Sequence, residues 1–307
     1  VGRAYREGIT RFAGMRNLDL WYSRLDVDDI TVEWRKGATA EQMKRFDRNV
    51  AKTKSKDSLK AFGKLTHIVD GEVRIISDPP VIVPIEEAVG AEHVHQLEDF
   101  LRGVLRSYRR TLAGDRRKLL ERFNYVHAAR KVVGVGSVGT RAWITLLLGR
   151  DGEDPLFLQF KEAEASVLEP FLGKSEFANH GHRVVQGQRL MQATSDILLG
   201  WEQVTGVDGR PRDHYIRQLW DWKASADIDT MSHKELDVYG EICGWTLARA
   251  HARSGDRIAI AAYLGGSDAF DRAIAEFSEA YADQNERDYE AFEKAVAEGR
   301  IQAETGV

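Results

Sequence analysis

Apolar positions recur at helical spacing at both ends of the chain and alternate with polar ones in short runs through its middle. From residue 1, where VGRAYREGITRFAGM opens a helical pattern, to about residue 125 the pattern is mainly helical. It breaks at KLTHIVDGEVRIISDPPVIVPIEE, where Asp70 and Gly71 separate two short alternating runs and so predict a hairpin. Pro79, Pro80 and Pro84 then forbid a helix until the segment in which Val94, Leu97, Leu101 and Leu105 repeat at helical spacing. Three strand-like runs follow: the one leading into VGVGSVG, then TRAWITLLL, then LFLQFKEA. Val185, Leu190, Ile197 and Leu198 mark an amphipathic segment, and WEQVTGVDGRPRDHYIRQLWDW reads as two strands around VDGRPRD. SHKELDVYGEICGWTLARAHARSGD carries apolar residues on more than one face, among them Leu236, Val238, Ile242, Trp245 and Leu247, and predicts a buried helix ending at Gly255. A last helix keeps a stripe of Phe270, Ile274, Phe277, Tyr281 and Phe292, with its acids on a wet face.

The middle of this pattern carries the candidate chemistry. KVVGVGSVGTRAWITLLLGRDGEDPLFLQFKEA combines Gly134, Gly136, Ser137 and Gly139 with a lone lysine, Lys161, on a later strand. A dinucleotide-binding fingerprint needs a helix directly after its glycines, with the pyrophosphate on the helix N-terminus. TRAWITLLL is rich in β-branched and aromatic residues and stops at Gly149, so a Rossmann-type oxidoreductase fails if this run is a strand. The order strand, glycine turn, strand, polar turn, strand is that of a kinase-like small lobe. Alternation sets Leu156, Leu158 and Phe160 on one face of the third strand and Phe157, Gln159 and Lys161 on the other. An ammonium under a glycine loop neutralises α and β phosphates, while loop N–H groups supply donors that only glycine brings close enough. The spacing from Gly139 to Lys161 exceeds the kinase pattern, with GRDGEDP as the longer turn, and Arg141 stands where kinases carry valine. The alternative is a plain hairpin whose glycines satisfy positive φ.

A kinase-like site also needs a helical glutamate to hold the lysine. The amphipathic segment offers Gln186 and Gln188 instead, which leaves Glu164, Glu169 and Glu176, with Glu169 the favoured partner. KASADIDT resembles the connector between lobes, near which an adenine would sit. The HxH pairs His93/His95 and His180/His182 are expected on the surface, because alternate residues splay apart on a helix. His251 is either a catalytic base or, in the favoured reading, a core or interface histidine.

A chain of 307 residues, 43% hydrophobic and 30% charged, can bury a large core. A formal charge of −4 gives no strong signal for nucleic acid, and the basic run RSYRRTLAGDRRK reads as a solvated helix face. The single cysteine, Cys243, excludes an internal disulfide framework and a cysteine-based zinc site, and points to the cytoplasm. No apolar stretch reaches the length of a membrane span and no signal peptide is visible. The chain opens at Val1 rather than at a methionine, and is expected to be truncated at its N-terminus.

KVVGVGSVGTR, LFLQFKEA, VVQGQRLMQATSDILLGW, CGWTLARAHARSGD and YADQNERDY together resemble the uncharacterised bacterial family of domain of unknown function 2252, over essentially the whole chain. Members look like kinase-fold proteins with a circularly permuted order, in which a GDAH and Asn segment and an acidic metal-binding segment precede the glycine loop. Neither segment is present here. The Gly-Asp after the long helix is Gly255 and Asp256, the next asparagine is Asn285, and no Asp-Phe-Gly occurs, so no catalytic loop is readable. The resemblance implies that Gly134, Gly136, Gly139 and Lys161, with Glu169, form the nucleotide-gripping half of a site, and assigns no catalytic or metal-ligating residue.

The expected fold is therefore α+β and kinase-like bilobal, with an antiparallel small-lobe sheet bearing the glycine-rich hairpin and a mainly helical large lobe. Its expected parts are a helical segment with a short hairpin over 1–125, the small lobe over 126–226 and a helical segment over 227–307. The leading function is a nucleotide-binding protein, its parent a phosphotransferase using ATP and magnesium on an unknown acceptor, with this chain catalytically inactive. The alternative is a pseudokinase or interaction scaffold, which can lack the upstream Asp and Asn groups that an enzyme needs.

Overall fold

The computed structural model describes residues 1–26, 58–89, 94–132, 139–205, 209–219 and 226–303, with isolated positions between 28 and 51. The chain forms two compact units, one of Val1–Arg45, Leu190–Ala193 and Ala226–Val307, the other of Phe46–Arg189 and Thr194–Ser225. Together they make a mixed α+β chain with an antiparallel sheet and several helices.

The second unit is built on a six-stranded sheet of β3 (Ile82–Pro84), β4 (Asn124–Lys131), β5 (Ala142–Leu148), β6 (Pro155–Ala163), β7 (Gly200–Thr205) and β8 (Pro211–Gln218). Its order is β3-β4-β5-β6-β8-β7, and every neighbouring pair is antiparallel. The run after the glycines is thus a strand, β5, so no helix N-terminus stands there to receive a pyrophosphate. Alternation holds along β6. Leu156, Leu158 and Phe160 join Leu147 and Ile216 in one core, against Val104, Leu105 and Tyr108 of α5 (Val94–Arg109), Leu112 just beyond it and Leu120 of α6 (Gly114–Leu120). Phe157 joins Ile82, Ala129, Ile144, Leu146 and Leu219 on the opposite face, under Ala61 and Leu65 of α3 (Ser58–Leu65). Each such side chain contributes about 1.5–3 kcal/mol of burial, so a sheet covered on both faces has a strongly specified register. The Tyr108 hydroxyl donates to the Leu198 carbonyl inside this core, and burial pushes its phenol well up. Gly200 is required beside it, because a Cβ there would lie 2.6 Å from the Tyr108 ring.

The predicted hairpin is β1 (Thr66–Val69) and β2 (Glu72–Ile75), joined by Asp70 at φ 51° and Gly71 at φ 84°. Two successive positive φ values are what a type I′ turn demands, and Asp-Gly supplies them at low cost. The hairpin docks on β4 through His127. A register shift between Tyr125 and His127 turns that ring onto the Ile75 side, where Nδ1 accepts the Ile75 N–H at 3.0 Å. The ring's proton therefore sits on Nε2, which donates to Glu86 of α4 (Ile85–Val89) at 2.9 Å.

In the first unit, α1 (Gly2–Ala13), α2 (Asn17–Tyr22), α9 (His233–Ser254), α10 (Arg257–Leu264) and α11 (Ala269–Ala297) surround a core of Ile9, Phe12, Leu20, Ala248, Ala252 and Leu264. α9 starts at a capping box between Ser232 and Glu235 and ends at Gly255. It is buried along small residues rather than large ones: a Cβ on Gly244 would lie 2.5 Å from the Val1 carbonyl, whereas Leu247 is 47% exposed. Close approach of two helix backbones needs such a small-residue stripe, so apolar size alone mis-assigned Leu236 and Leu247, while Trp245 packs on this core as expected. On α11, Phe270 packs on this core, while Ile274, Phe277, Tyr281 and Phe292 are exposed. No helix among the described residues is long and apolar enough to cross a membrane.

Candidate functional site

One rung of the sheet holds the candidate chemistry. β5 and β6 pair Ala142 with Lys161, β6 and β8 pair Lys161 with Tyr215, and β7 and β8 pair Tyr215 with Trp201. Directly opposed residues share a face, so Ala142, Lys161, Tyr215 and Trp201 line one side of the sheet in a row. One step beyond the pairing of Arg130 with Trp143, the same register sets Lys131 beside Ala142. Arg217, opposite Gln159, lies on this face diagonal to Lys161.

In sequence, the glycine-rich segment joins Lys131 of β4 to Ala142 of β5. Gly139 has φ 84°, the left-handed region that favours glycine; Gly134, Gly136 and Ser137 lie outside the described residues. Arg141, two residues after Gly139, is held by Glu162, whose carboxylate accepts the Arg141 N–H at 3.0 Å and pairs with the guanidinia of Arg141 at 3.3 Å and Arg212 at 3.4 Å. Glu162 follows Lys161 in sequence, but alternation turns it to the other face, where those arginines use its charge.

Lys161 is half-buried and, among the described residues, no carboxylate lies within ion-pair distance of it. Burial, and then the Arg217 charge, push its ammonium pKa below the ordinary lysine value. Lys131 is half-buried too and is pushed down by burial and by Lys64, with Asp78 acting against them. The Nε of Arg217 is buried without a hydrogen-bond partner. Three cations thus share a sheet face with no paired carboxylate among the described residues. Partly desolvated charge of one sign is costly, and an anion placed on this face would offset that cost.

The Trp201 end of the rung is closed by α8 (His180–Met191). Asp213 anchors that helix: its Oδ2 accepts the His180 N–H at 2.7 Å and its Oδ1 accepts from the Asn179 amide at 2.7 Å. Asn179 in turn accepts the His182 N–H at 2.8 Å, as an N-cap does. Gly181 lets the helix touch the strand, because a Cβ there would lie 2.2 Å from the His214 carbonyl oxygen. The His182 ring stacks on Trp201 with centroids 3.9 Å apart and meets the Gln186 amide at 3.0 Å. Burial, then Arg189, push its pKa down and keep the ring neutral. His180 and His182 are therefore half-buried rather than a surface pair, because the helix start on which they stand is packed against β8.

Glu169 stands in α7 (Glu169–Leu172) with Oε1 4.0 Å from Nδ1 of His180, and makes no ion pair with Lys161. Both of those facing atoms are buried without a hydrogen-bond partner. The structure thus brings Lys161 to the end of the glycine turn marked by Gly139 and directs Glu169 toward α8. Glu164 lends its carbonyl to Arg183, and Glu176 is exposed. His93 lies outside the described residues, as does the side chain of His95. His251 is exposed and bonded through Nδ1 to the Tyr5 hydroxyl at 2.8 Å; Cys243 is free and half-buried. The connector from 220 to 225 lies outside the described residues, and Ile228–Thr230 after it form one 3-10 turn. Among the described residues, no group of three or more His, Cys, Asp or Glu could hold a metal ion.

Sequence reasoning missed Lys131 and Arg217. Strand parity was available for both, since Lys131 shares parity with Ala129 and Arg217 with Tyr215, but neither residue joins Lys161 until the cross-strand register is known.

A family model described as "uncharacterized protein conserved in bacteria (DUF2252)" matches residues 1–295. No curated protein and no solved structure matches the chain.

Proposed function

We propose that this chain, which belongs to the uncharacterised bacterial family DUF2252, binds a nucleotide by its phosphates on the Lys161 face of the sheet. The observation that carries the reading is a half-buried ammonium with no carboxylate partner among the described residues, opposite Ala142, which follows Gly139 by three residues. The order of parts supports it: glycine turn, strand, lysine strand and then a helix is the order of the kinase phosphate-gripping half. In this reading Lys161 neutralises the inner phosphates and loop N–H groups supply further donors. The described residues present no carboxylate set for magnesium, so the metal enters as the phosphates' own counter-ion. A phosphotransferase role rests on fold analogy, and a kinase-like bilobal, circularly permuted arrangement is part of the same proposal. A cytoplasmic setting fits a nucleotide ligand and one unpaired cysteine.

Calorimetric titration of the chain and of Lys161→Ala with ATP, with and without magnesium, tests this. Binding that weakens at least about tenfold in the variant is expected, the worth of one charge-assisted contact. A folded chain that binds neither ATP nor GTP would sink the reading. That Lys161 makes no pair with a glutamate among the described residues favours a second reading, a pseudokinase scaffold, in which nucleotide binds but no phosphoryl transfer to water or to any added acceptor is seen.

A further inference from the structure

We propose that Lys131, Lys161 and Arg217 form a three-armed clamp for linked phosphoryl groups, so that the site takes a polyphosphate of two or more phosphates rather than a single phosphate or a carboxylate. The inference rests on the phosphate-binding reading of Lys161 and adds to it two residues and a ligand class.

The geometry follows from the sheet. Neighbouring strands lie about 4.8 Å apart, so Lys131 and Lys161, with the strand of Ala142 between them, have backbones about 10 Å apart. Arg217 stands one strand further and two residues along, at a diagonal separation of about 7–8 Å from Lys161. All three share one face, and none has a carboxylate within ion-pair distance among the described residues. Lys64 and Asp78 act on Lys131 from longer range with opposite signs. Three positive charges exceed the roughly −1.5 to −2 that a single phosphate carries near pH 7, whereas a chain of phosphoryl groups supplies more negative charge and presents an oxygen to each arm. Arginine adds a planar fork that grips two oxygens at once. The cluster is local, since the chain as a whole carries a formal charge of −4.

Nucleoside triphosphates and inorganic polyphosphate share this chemistry, and one experiment separates them. The full chain is titrated with inorganic phosphate, pyrophosphate, tripolyphosphate and ATP, in wild type and in Lys131→Met, Arg217→Met and Lys161→Ala. Affinity should rise from phosphate to tripolyphosphate, and each variant should lower tripolyphosphate affinity by about tenfold or more. The charge-keeping Lys131→Arg and Arg217→Lys should retain more affinity than the methionine variants. They also decide the matter if a methionine variant does not fold. ATP affinity lost in Lys161→Ala but unchanged in folded Lys131→Met and Arg217→Met would overturn the clamp and leave the nucleotide reading standing. Tripolyphosphate binding as tightly as ATP, and weakened by all three variants, would support the clamp while removing the nucleoside from the proposed function. Equal, weak binding of all four anions would overturn the clamp.

Discussion

Replacing His127 by leucine should undock the β1–β2 hairpin from the sheet. In the folded chain the buried Ile75 N–H, which would otherwise need a strand partner, donates to His127 Nδ1 at 3.0 Å. Leucine leaves that donor unpaired at a position 1% exposed, at a cost of about 1–3 kcal/mol. Glu86 loses a donor at 2.9 Å but keeps Arg74 at 3.0 Å and is 27% exposed, so its share is under about 1 kcal/mol. A total near 2 kcal/mol corresponds to roughly 30-fold faster opening-limited exchange. Because the chain has two units, global unfolding is a poor gauge, and hydrogen exchange at the Val73, Ile75 and Ile76 amides is the assay. Glutamine, whose carbonyl can accept the Ile75 N–H, should recover part of the protection. Unchanged protection in His127→Leu would refute the tether. Acid should act at the same place: burial alone would raise the Glu86 carboxyl, but the His127 hydrogen bond and the Arg74 charge outweigh it and hold it below its ordinary value. A carboxyl depressed by folding stabilises above its unfolded pKa and ceases to as pH falls through the folded one. Hairpin protection should therefore fall below about pH 4.

Gly181→Ala would set a methyl 2.2 Å from the His214 carbonyl oxygen, and should destabilise the seating of α8 by about 2–3 kcal/mol, read as faster exchange at the His180 and His182 amides; wild-type exchange would show that the helix start is not packed there. Ser232→Ala removes one half of the α9 capping box and should cost about 1 kcal/mol, read as faster amide exchange at Glu235, with threonine restoring it.

Secondary structure was legible where local chemistry and pattern agreed. Asp70-Gly71 between alternating runs, the β-branched TRAWITLLL and the parity of LFLQFKEA each admit one backbone solution, and the structure adopts it. Packing was less legible. α9 offers Leu236 and Leu247 as its obvious apolar residues, yet its tightest approach uses Gly8, Gly244 and Ala248, because helix backbones close on small residues. The stripe of α11 reads as a buried face, but from Ile274 onward it is exposed. Periodicity reports that a face is apolar, not which surface receives it.

The site divides along the same line. Lys161 and its side of the sheet follow from strand parity, which needs only neighbouring residues. The neighbours of Lys161 across the sheet follow from register, and register joins residues as distant in sequence as 131, 161 and 217. Parity also removes the nearest acid: Glu162 is adjacent in sequence, yet its carboxylate lies on the opposite face between Arg141 and Arg212. Glu169 approaches His180, and the helix that follows the lysine strand carries Gln186 and Gln188 in place of a glutamate. An internal ion pair would satisfy the lysine in the empty site and compete with a ligand for it. Among the described residues Lys161 makes no such pair, so an anion bound there as proposed would break no salt bridge to that lysine and its electrostatics would go into affinity.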